Sequence, residues 1–291
     1  MNEPIYVGTN TMPGLLYSRL SDKLETLQQE GFPFDVDIDK IGEFTFMGYS
    51  VKAKGGTKKE VFQIIKSTIA NCIADIIIEE WEARIIRKII RDNYFYYNDE
   101  EKKSILKKAK QILNPDGVIF SQREQRREKV MDKVLTYLDL HKDLILEGFI
   151  NFRLKDYQDE LEEIVNSAVD EFMLEKEYME FIRLLKYFVD IQEPRIDKVK
   201  IIFKKEDGFM LLDSEFQPLK HECLEGLMLD LQENEINYDD LLISALITMA
   251  PREVELHLEE GVKPGDTINT INSVFGSRVS KCSGCKYCRP K

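Results

Sequence analysis

The sequence predicts an α+β fold that is predominantly helical, with long central helices flanked by small strand-containing segments at both ends. Apolar residues recur at helical spacing between residues 61 and 89, a stretch without glycine or proline. Residues 44–51 alternate in the manner of a strand, and residues 199–203 and 208–212 alternate on either side of four charged residues, as in a hairpin. With 291 residues, of which 43% are hydrophobic, the chain can bury a sizeable core.

The predicted organisation divides the chain by its secondary structure. In order, the segments are an N-terminal α+β segment (1–55), a helical region (56–194) and a C-terminal α+β domain with a cysteine-rich tail (195–291). Asn98 with Glu101 has the pattern of a capping box and predicts a helix start. Further predicted elements are amphipathic stretches at 156–172 and 175–189, helices near 224–231, 239–249 and 266–275, and strands at 254–258 and 278–281.

Charge is unevenly distributed along the chain. The net charge of −12 disfavours a protein that coats nucleic acid, but residues 84–133 hold 14 basic against 8 acidic side chains, whereas residues 147–180 hold 3 against 11. We interpret the two blocks mainly as solvated helix faces that partly neutralise each other. The other interpretation is a nucleic-acid surface, which would use Arg123, Arg126 and Arg127.

Three of the five cysteines lie in the last ten residues, as Cys282-x-x-Cys285-x-x-Cys288. Thiolates at this spacing can converge on zinc or on an iron-sulfur cluster. The fourth cysteine of the bacterial ferredoxin pattern is missing, so a fourth ligand would come from His221, Cys223, His257 or a second molecule. A tail of inert reduced thiols and dithiol redox chemistry are the other two interpretations.

Two other features of the chain bear on its chemistry and its compartment. Cys72 lies on the apolar stripe of the long predicted helix and is interpreted as a core residue, and His141, beside Lys142 at a helix end, as a solvated residue. The chain shows neither a signal peptide nor a membrane-spanning segment, so we expect a cytoplasmic protein with reduced thiols.

Several runs of residues resemble one protein family together. They are Glu-Gly-Phe-Ile-Asn-Phe-Arg-Leu-Lys-Asp-Tyr at 147–157, Leu-Leu-Lys-Tyr-Phe-Val-Asp-Ile-Gln-Glu-Pro at 184–194, Met-Ala-Pro at 249–251, Val-Phe-Gly at 274–276 and the cysteine tail. The chain resembles the YtxC-like family over nearly its whole length, most specifically over residues 147–291. The resemblance implies a cytoplasmic protein associated by name with sporulation in endospore-forming bacteria, and it carries over no catalytic residue.

These observations favour a non-enzymatic structural or regulatory protein of sporulation that binds a protein partner and carries a metal or cluster site in its tail. The alternative is an enzyme that depends on an iron-sulfur cluster or on thiols, with Cys282, Cys285 and Cys288 at an open site. A weaker alternative is a nucleic-acid binder that uses the basic helices in residues 84–133. The sequence specifies neither the partner nor the oligomeric state.

Overall fold

The computed structural model describes residues 4–52, 57–115, 119–204, 208–219, 238–259 and 265–288. It confirms a predominantly helical α+β fold with small sheets in the N-terminal and C-terminal regions. Its packing divides the chain into two compact units, Met1–Met173 and Leu174–Lys291. The three predicted segments follow secondary structure along the chain, which is a different criterion, and they stay a prediction.

The first unit combines a four-stranded sheet with helices. In chain order its elements are β1 (Ile5–Thr9), α1 (Pro13–Gln29), β2 (Phe34–Ile41), β3 (Phe44–Val51), α2 (Thr57–Ile76), α3 (Glu82–Asn93), α4 (Asp99–Leu113), α5 (Ile119–Leu140), β4 (Asp143–Ile145), α6 (Leu146–Arg153) and the first part of α7 (Lys155–Ile191). The strand order is β2-β3-β1-β4, with β4 parallel to β1 and the other pairs antiparallel. Neither β2, β4 nor α6 is among the elements predicted from the sequence.

The predicted long helix is present and is interrupted by a π-helical turn. Ile77–Trp81 forms this turn between α2 and α3, so that residues 57–93 are helical throughout. Ile65, Ile69 and Ile73 recur every fourth residue and are buried, which is the face that periodicity predicts. By length and hydropathy the helix Lys58–Asn93 could cross a membrane, but 61% of its most apolar window is buried inside the protein. Such burial is typical of a core helix.

Two local predictions about helices have direct structural outcomes. The Asn98 side chain accepts hydrogen bonds from the amides of Glu100 and Glu101, and the Glu101 carboxylate accepts one from the Asn98 amide, which confirms the capping box. The amphipathic stretches 156–172 and 175–189 form one continuous helix, α7. The two residues between them are Met and Leu, which are good helix formers, so nothing interrupts the helix there.

The basic and acidic blocks meet in ion pairs within the first unit. Lys129 and Lys133 of α5 pair with Glu160 and Asp156 of α7. The three arginines considered for nucleic-acid binding pair with acids of the long helix: Arg123 with Glu79, Arg126 with Glu82 and Arg127 with Asp75. These contacts support the interpretation of neutralised helix faces. Nucleic-acid binding stays a prediction, and it would have to compete with these pairs.

The second unit begins with the C-terminal part of α7 and contains a second four-stranded sheet. Its other elements are β5 (Ile196–Lys204), β6 (Gly208–Leu212), α8 (Tyr238–Met249), β7 (Pro251–Leu258), α9 (Asp266–Phe275) and β8 (Val279–Lys281). The strand order is β6-β5-β7-β8, with β5 and β6 antiparallel and the other pairs parallel. The predicted helix near 224–231 lies outside the described residues.

Candidate metal centre

The parallel pairing of β7 with β8 brings the cysteine tail beside His257. In the register of this pair, Leu256 lies opposite Lys281, and the Cys282 amide donates a 3.0 Å hydrogen bond to the Leu256 carbonyl. His257, the next residue of β7, is therefore adjacent to the first residue of the tail. Because parallel strands end at the same edge of a sheet, the tail leaves β8 at the edge where His257 lies.

Backbone geometry then turns the tail back on itself. Gly284 has a φ of 123°, a left-handed value that glycine adopts at little cost. The Cys288 amide donates a 3.0 Å hydrogen bond to the Cys285 carbonyl and closes a tight turn between these two residues. Two further amides, those of Gly284 and Tyr287, donate to the sulfurs of Cys282 and Cys285, each at 3.4 Å. Amide donors of this kind are suited to stabilising thiolates.

Four ligand atoms converge as a result, and we call this group the Cys3His cluster. Its members are the Sγ atoms of Cys282, Cys285 and Cys288 and a ring nitrogen of His257. These four atoms all lie within 4.8 Å of one another. The His257 Nδ1 atom is 3.3 Å from the Cys285 Sγ and 3.5 Å from the Cys288 Sγ, and the two sulfurs are 3.8 Å apart.

Three of the six distances among these four atoms fit the edges of one tetrahedral site. With metal–sulfur bonds of about 2.3 Å and a metal–nitrogen bond of about 2.0–2.1 Å, a regular tetrahedron has sulfur–sulfur edges of about 3.8 Å and sulfur–nitrogen edges of about 3.5–3.6 Å. The sulfur–sulfur distance of 3.8 Å matches the first edge, and the sulfur–nitrogen distances of 3.3 and 3.5 Å lie close to the second. Cys3His is also one of the ligand sets found in structural zinc sites.

Burial and hydrogen bonding set the protonation of the ligands. His257 is 1% exposed, and burial lowers its pKa, which favours the neutral imidazole that metals bind. Burial acts to raise the pKa of Cys285, but the amides of Tyr287 and Cys288 outweigh it, and the net pKa lies below the ordinary value. Burial raises the pKa of Cys288, and so do the neighbouring sulfurs. One thiolate beside less acidic thiols is the pattern expected when negative charges crowd together.

The Glu255 carboxylate lies near the ring nitrogen of His257 that faces away from the cysteines. Within the described residues, the His257 Nε2 atom is buried and has no hydrogen-bond partner. The nearest acid is Glu255, two residues earlier on the same face of β7, whose Oε1 atom is 3.8 Å away, too far for a hydrogen bond. Lys198 of β5 lies 3.2 Å from the other Glu255 oxygen. Metal-bound histidines usually donate their second N–H to such a carboxylate.

Aromatic rings cover one side of the cluster. Phe216, in the loop after β6, packs edge-on against the His257 ring and stacks on Tyr287 with ring centres 5.4 Å apart. The Phe216 backbone is left-handed, with a φ of 62°, and Asp213 fixes the turn by accepting hydrogen bonds from the amides of Glu215 and Gln217. A non-glycine residue in this conformation stores strain, so the surrounding turn must hold it.

The outcomes for the residues predicted to bind metal differ. The structure brings Cys282, Cys285 and Cys288 together with His257, whereas His221 and Cys223 lie outside the described residues. Metal binding itself stays a prediction. Glu255, Phe216 and Tyr287 were not predicted to belong to the site. An acid at i−2 from a strand histidine could have pointed to Glu255, but no local pattern marks the two aromatic residues.

The other two residues weighed from the sequence lie apart from this cluster. Cys72 is 1% exposed in the core of the first unit, and burial raises its pKa to about 11, so it is an inert thiol. His141, at the end of α5, is exposed and packs on the Tyr137 ring. Both agree with the sequence interpretation.

These observations define the class of protein: a predominantly helical α+β protein with a Cys3His cluster in its C-terminal unit. The sequence model of the YtxC-like family matches residues 67–280, and the chain belongs to this family. It is 28% identical over 195 residues to a protein named "Uncharacterized protein YtxC" from Bacillus subtilis (strain 168), an alignment that covers 66% of this chain and 68% of the Bacillus protein. No solved structure matches the chain.

Proposed function

We propose that this chain is a non-enzymatic structural or regulatory protein whose C-terminal unit is held together by one zinc ion in the Cys3His cluster. The observation that carries the proposal is the agreement of three ligand–ligand distances with the edges of a zinc tetrahedron. In a 4Fe–4S cluster each thiolate binds a different iron, and in a 2Fe–2S cluster the four ligands are divided between two irons, so the ligand atoms are spread over more than one metal atom. Four ligand atoms within 4.8 Å of one another suit a single ion better.

The completeness of the ligand set favours a structural role over a catalytic one. Catalytic zinc sites keep one position open for water or substrate, whereas structural sites fill all four with protein ligands. His257 would supply the fourth ligand here, and Phe216 packs against its ring. A cysteine-dependent enzyme would need His257 to leave the cluster before a substrate could enter.

The ion would add a link between β7 and the cysteine tail, beyond the short β7–β8 pairing. β8 has only three residues, and the tail beyond it has few apolar side chains with which to pack. Coordination by His257 would tie the tail to β7, and the free energy of metal binding would then add to the stability of this unit. Phe216 and Tyr287 would extend the same connection to the loop after β6.

The biological setting is proposed from the family. The resemblance to a family associated by name with sporulation in endospore-forming bacteria supports a role in that programme, and reduced thiols that bind zinc suit the cytoplasm. A zinc site without an open coordination position does not itself catalyse a reaction. We therefore propose that it works by binding another protein and not by turnover.

Metal analysis under anaerobic conditions tests the zinc site. Wild-type protein should retain about one zinc per chain and show no visible absorption, and the variant with all three tail cysteines changed to Ser should retain none. Cobalt substitution should give the intense absorption of a tetrahedral thiolate site in the wild type alone. A brown protein with iron and labile sulfide would establish the cluster alternative, and a wild type without bound metal would overturn the zinc site.

A genetic test addresses the role separately. In an endospore-forming host that encodes this chain, deletion of the gene should lower spore yield, and the wild-type gene should restore it. The triple Cys→Ser variant should restore it only in part. Unchanged spore yield after deletion would overturn the sporulation role and leave the zinc measurement unaffected.

A further inference from the structure

The C-terminal half of α7 exposes many large apolar side chains. Each is between 44% and 67% exposed: Leu174, Tyr178, Met179, Phe181, Leu184, Tyr187, Phe188 and Ile191. All eight belong to the second unit. Single exposed apolar residues are ordinary, but a large exposed group on one side of a helix usually marks an interaction surface.

Five of these side chains follow a coiled-coil repeat. Leu174, Phe181 and Phe188 are spaced by seven residues, and Leu184 and Ile191 each follow one of them by three. We call these five residues the α7 seam. A different side of the same helix serves the core, where Ile182 and Val189 are buried. The helix therefore has one apolar face that packs inside its own unit and a second that faces outward.

The charges of residues 174–191 are typical of a helix that pairs with another helix in a coiled coil. Residues 174–191 carry four acidic and three basic side chains, so they are close to neutral and contain both signs. Nucleic acid or an anionic membrane surface would require a clear excess of basic residues. Mixed charges beside an apolar a/d seam are typical of helices that pair with one another.

The seam supplies a large part of the area that a dimer needs. Its five side chains are about half exposed, and at about 150–250 Å² for each large apolar side chain they offer on the order of 500 Å². A standard interface buries about 800 Å² per partner. Beside Tyr178 and Phe181, a groove of about 570 Å³ continues the apolar surface toward Ile243 and Ile247 of α8 and could receive side chains from a facing helix.

We propose that two copies of the chain associate through the α7 seam, with the same surface of each copy facing the other across a two-fold axis. Such an arrangement is the commonest closed form of a homo-oligomer. It requires nothing but the chain itself. Dimerisation does not depend on zinc binding, and it assigns an interaction surface that the metal site does not provide.

Sedimentation of the full-length, zinc-loaded protein under reducing conditions tests the proposal. The wild type should show a concentration-dependent monomer–dimer equilibrium. Leu184→Glu, which puts a charge in the seam, should weaken association at least about 30-fold, the effect of losing an interface hot spot. Lys186→Glu is the matched control, because it adds an acid to an exposed position of the same helix outside the seam and should leave association within about threefold.

A further measurement keeps the test decisive if a variant folds poorly. Hydrogen exchange of wild-type protein should slow in residues 174–191 on going from dilute to concentrated samples. A wild type that stays monomeric at high concentration, or a dimer whose exchange in this stretch does not change, would overturn the proposal.

Discussion

The Nδ1 atom of His257 lies 3.3 Å from the sulfur of Cys285, although 28 residues separate the two in the chain. The parallel pairing of β7 and β8 accounts for this approach, because it carries the tail to the end of the strand that holds His257. His257 is buried within β7, whereas the cysteines of the tail are only partly buried. The buried member of the cluster thus comes from the sheet, and its three partly buried members come from the tail.

This relationship predicts the effect of His257→Ala. Removal of a direct ligand should weaken zinc binding by more than the 10–100-fold that loss of an outer-shell partner costs. His257→Cys keeps a fourth ligand and is the matched variant, which should retain zinc. Competition with a chromophoric chelator at constant pH gives both affinities. If His257→Ala holds zinc as tightly as the wild type, another residue or a second molecule supplies the fourth ligand.

Glu255 should strengthen zinc binding by orienting the His257 ring. When Nδ1 binds metal, Nε2 carries the proton, and a movement of less than 1 Å would bring the Glu255 carboxylate, now 3.8 Å away, within hydrogen-bond distance. Glu255→Gln should therefore weaken zinc binding about 10–100-fold. Glu253→Gln is the control. Glu253 also contacts Lys198, but it is exposed and does not contact His257. Equal affinities for the two variants would contradict a role of Glu255 in orienting His257.

The sequence predicted the parts of the fold that depend on neighbouring residues. The capping box at Asn98 needs only residues three apart, and the buried isoleucines of α2 need only a helical period. Strand β2 was missed because Asp alternates with its apolar residues and because it is an edge strand, with Ile38 and Ile41 exposed. Strand β4 has three residues, and its partner β1 lies more than 130 residues away.

In the candidate site, too, local sequence patterns predict some of the residues and miss the others. Three of the candidate ligands share one short motif, and their spacing predicts them without a structure. The choice of His257 among the fourth-ligand candidates depends on strand register, which no local pattern specifies. The position of Phe216 depends on a turn that forces a left-handed backbone on a bulky residue. Residues that cover or support a site are recruited from other elements, and sequence spacing does not reveal them.

Two glutamates of the long helix provide a controlled comparison of buried and exposed ion pairs. Glu82 is buried, lies 2.9 Å from Arg126 and accepts a hydrogen bond from Tyr157, whose pKa burial raises. Glu79, three residues earlier, pairs with Arg123 at the surface. Glu82→Ala should cost about 3–5 kcal/mol of unfolding free energy because the largely buried Arg126 guanidinium would lose its carboxylate partner and keep only neutral acceptors, the Leu113 carbonyl and the Asn114 side chain. Glu79→Ala should cost less than about 1 kcal/mol.

Chemical denaturation followed by far-ultraviolet circular dichroism gives both values. Measurement with zinc removed and with zinc bound should give the same difference between the variants, because the glutamates and the Cys3His cluster belong to different units. Similar losses for Glu79→Ala and Glu82→Ala would show that burial of the Glu82–Arg126 pair does not set its energetic importance.

The stability of the first unit should depend on pH through Glu147. Burial alone would raise the pKa of this carboxyl, but its Oε1 atom accepts hydrogen bonds from the Thr9 hydroxyl and the amides of Asn10 and Thr11, and the net pKa falls below the ordinary 4.5. A carboxyl whose pKa is lower in the folded state contributes stability above its unfolded pKa. This contribution is lost as the pH falls from about 4.5 through the folded value.

Glu147→Gln keeps the shape of the side chain and removes its charge, so it isolates this contribution. At pH 7 the variant should be less stable than the wild type by about 1–2 kcal/mol, since hydrogen bonds to a charged acceptor are the stronger ones. The difference should shrink as the pH falls below about 4.5, because the wild-type protein then loses the stability that its carboxylate contributes. Glu43→Gln, at an exposed position of the same unit, should change stability little at either pH. Urea denaturation of the three proteins at pH 7 and pH 3 measures the effect, and a Glu147→Gln difference that is equal at both pH values would contradict a charge-based role for this residue.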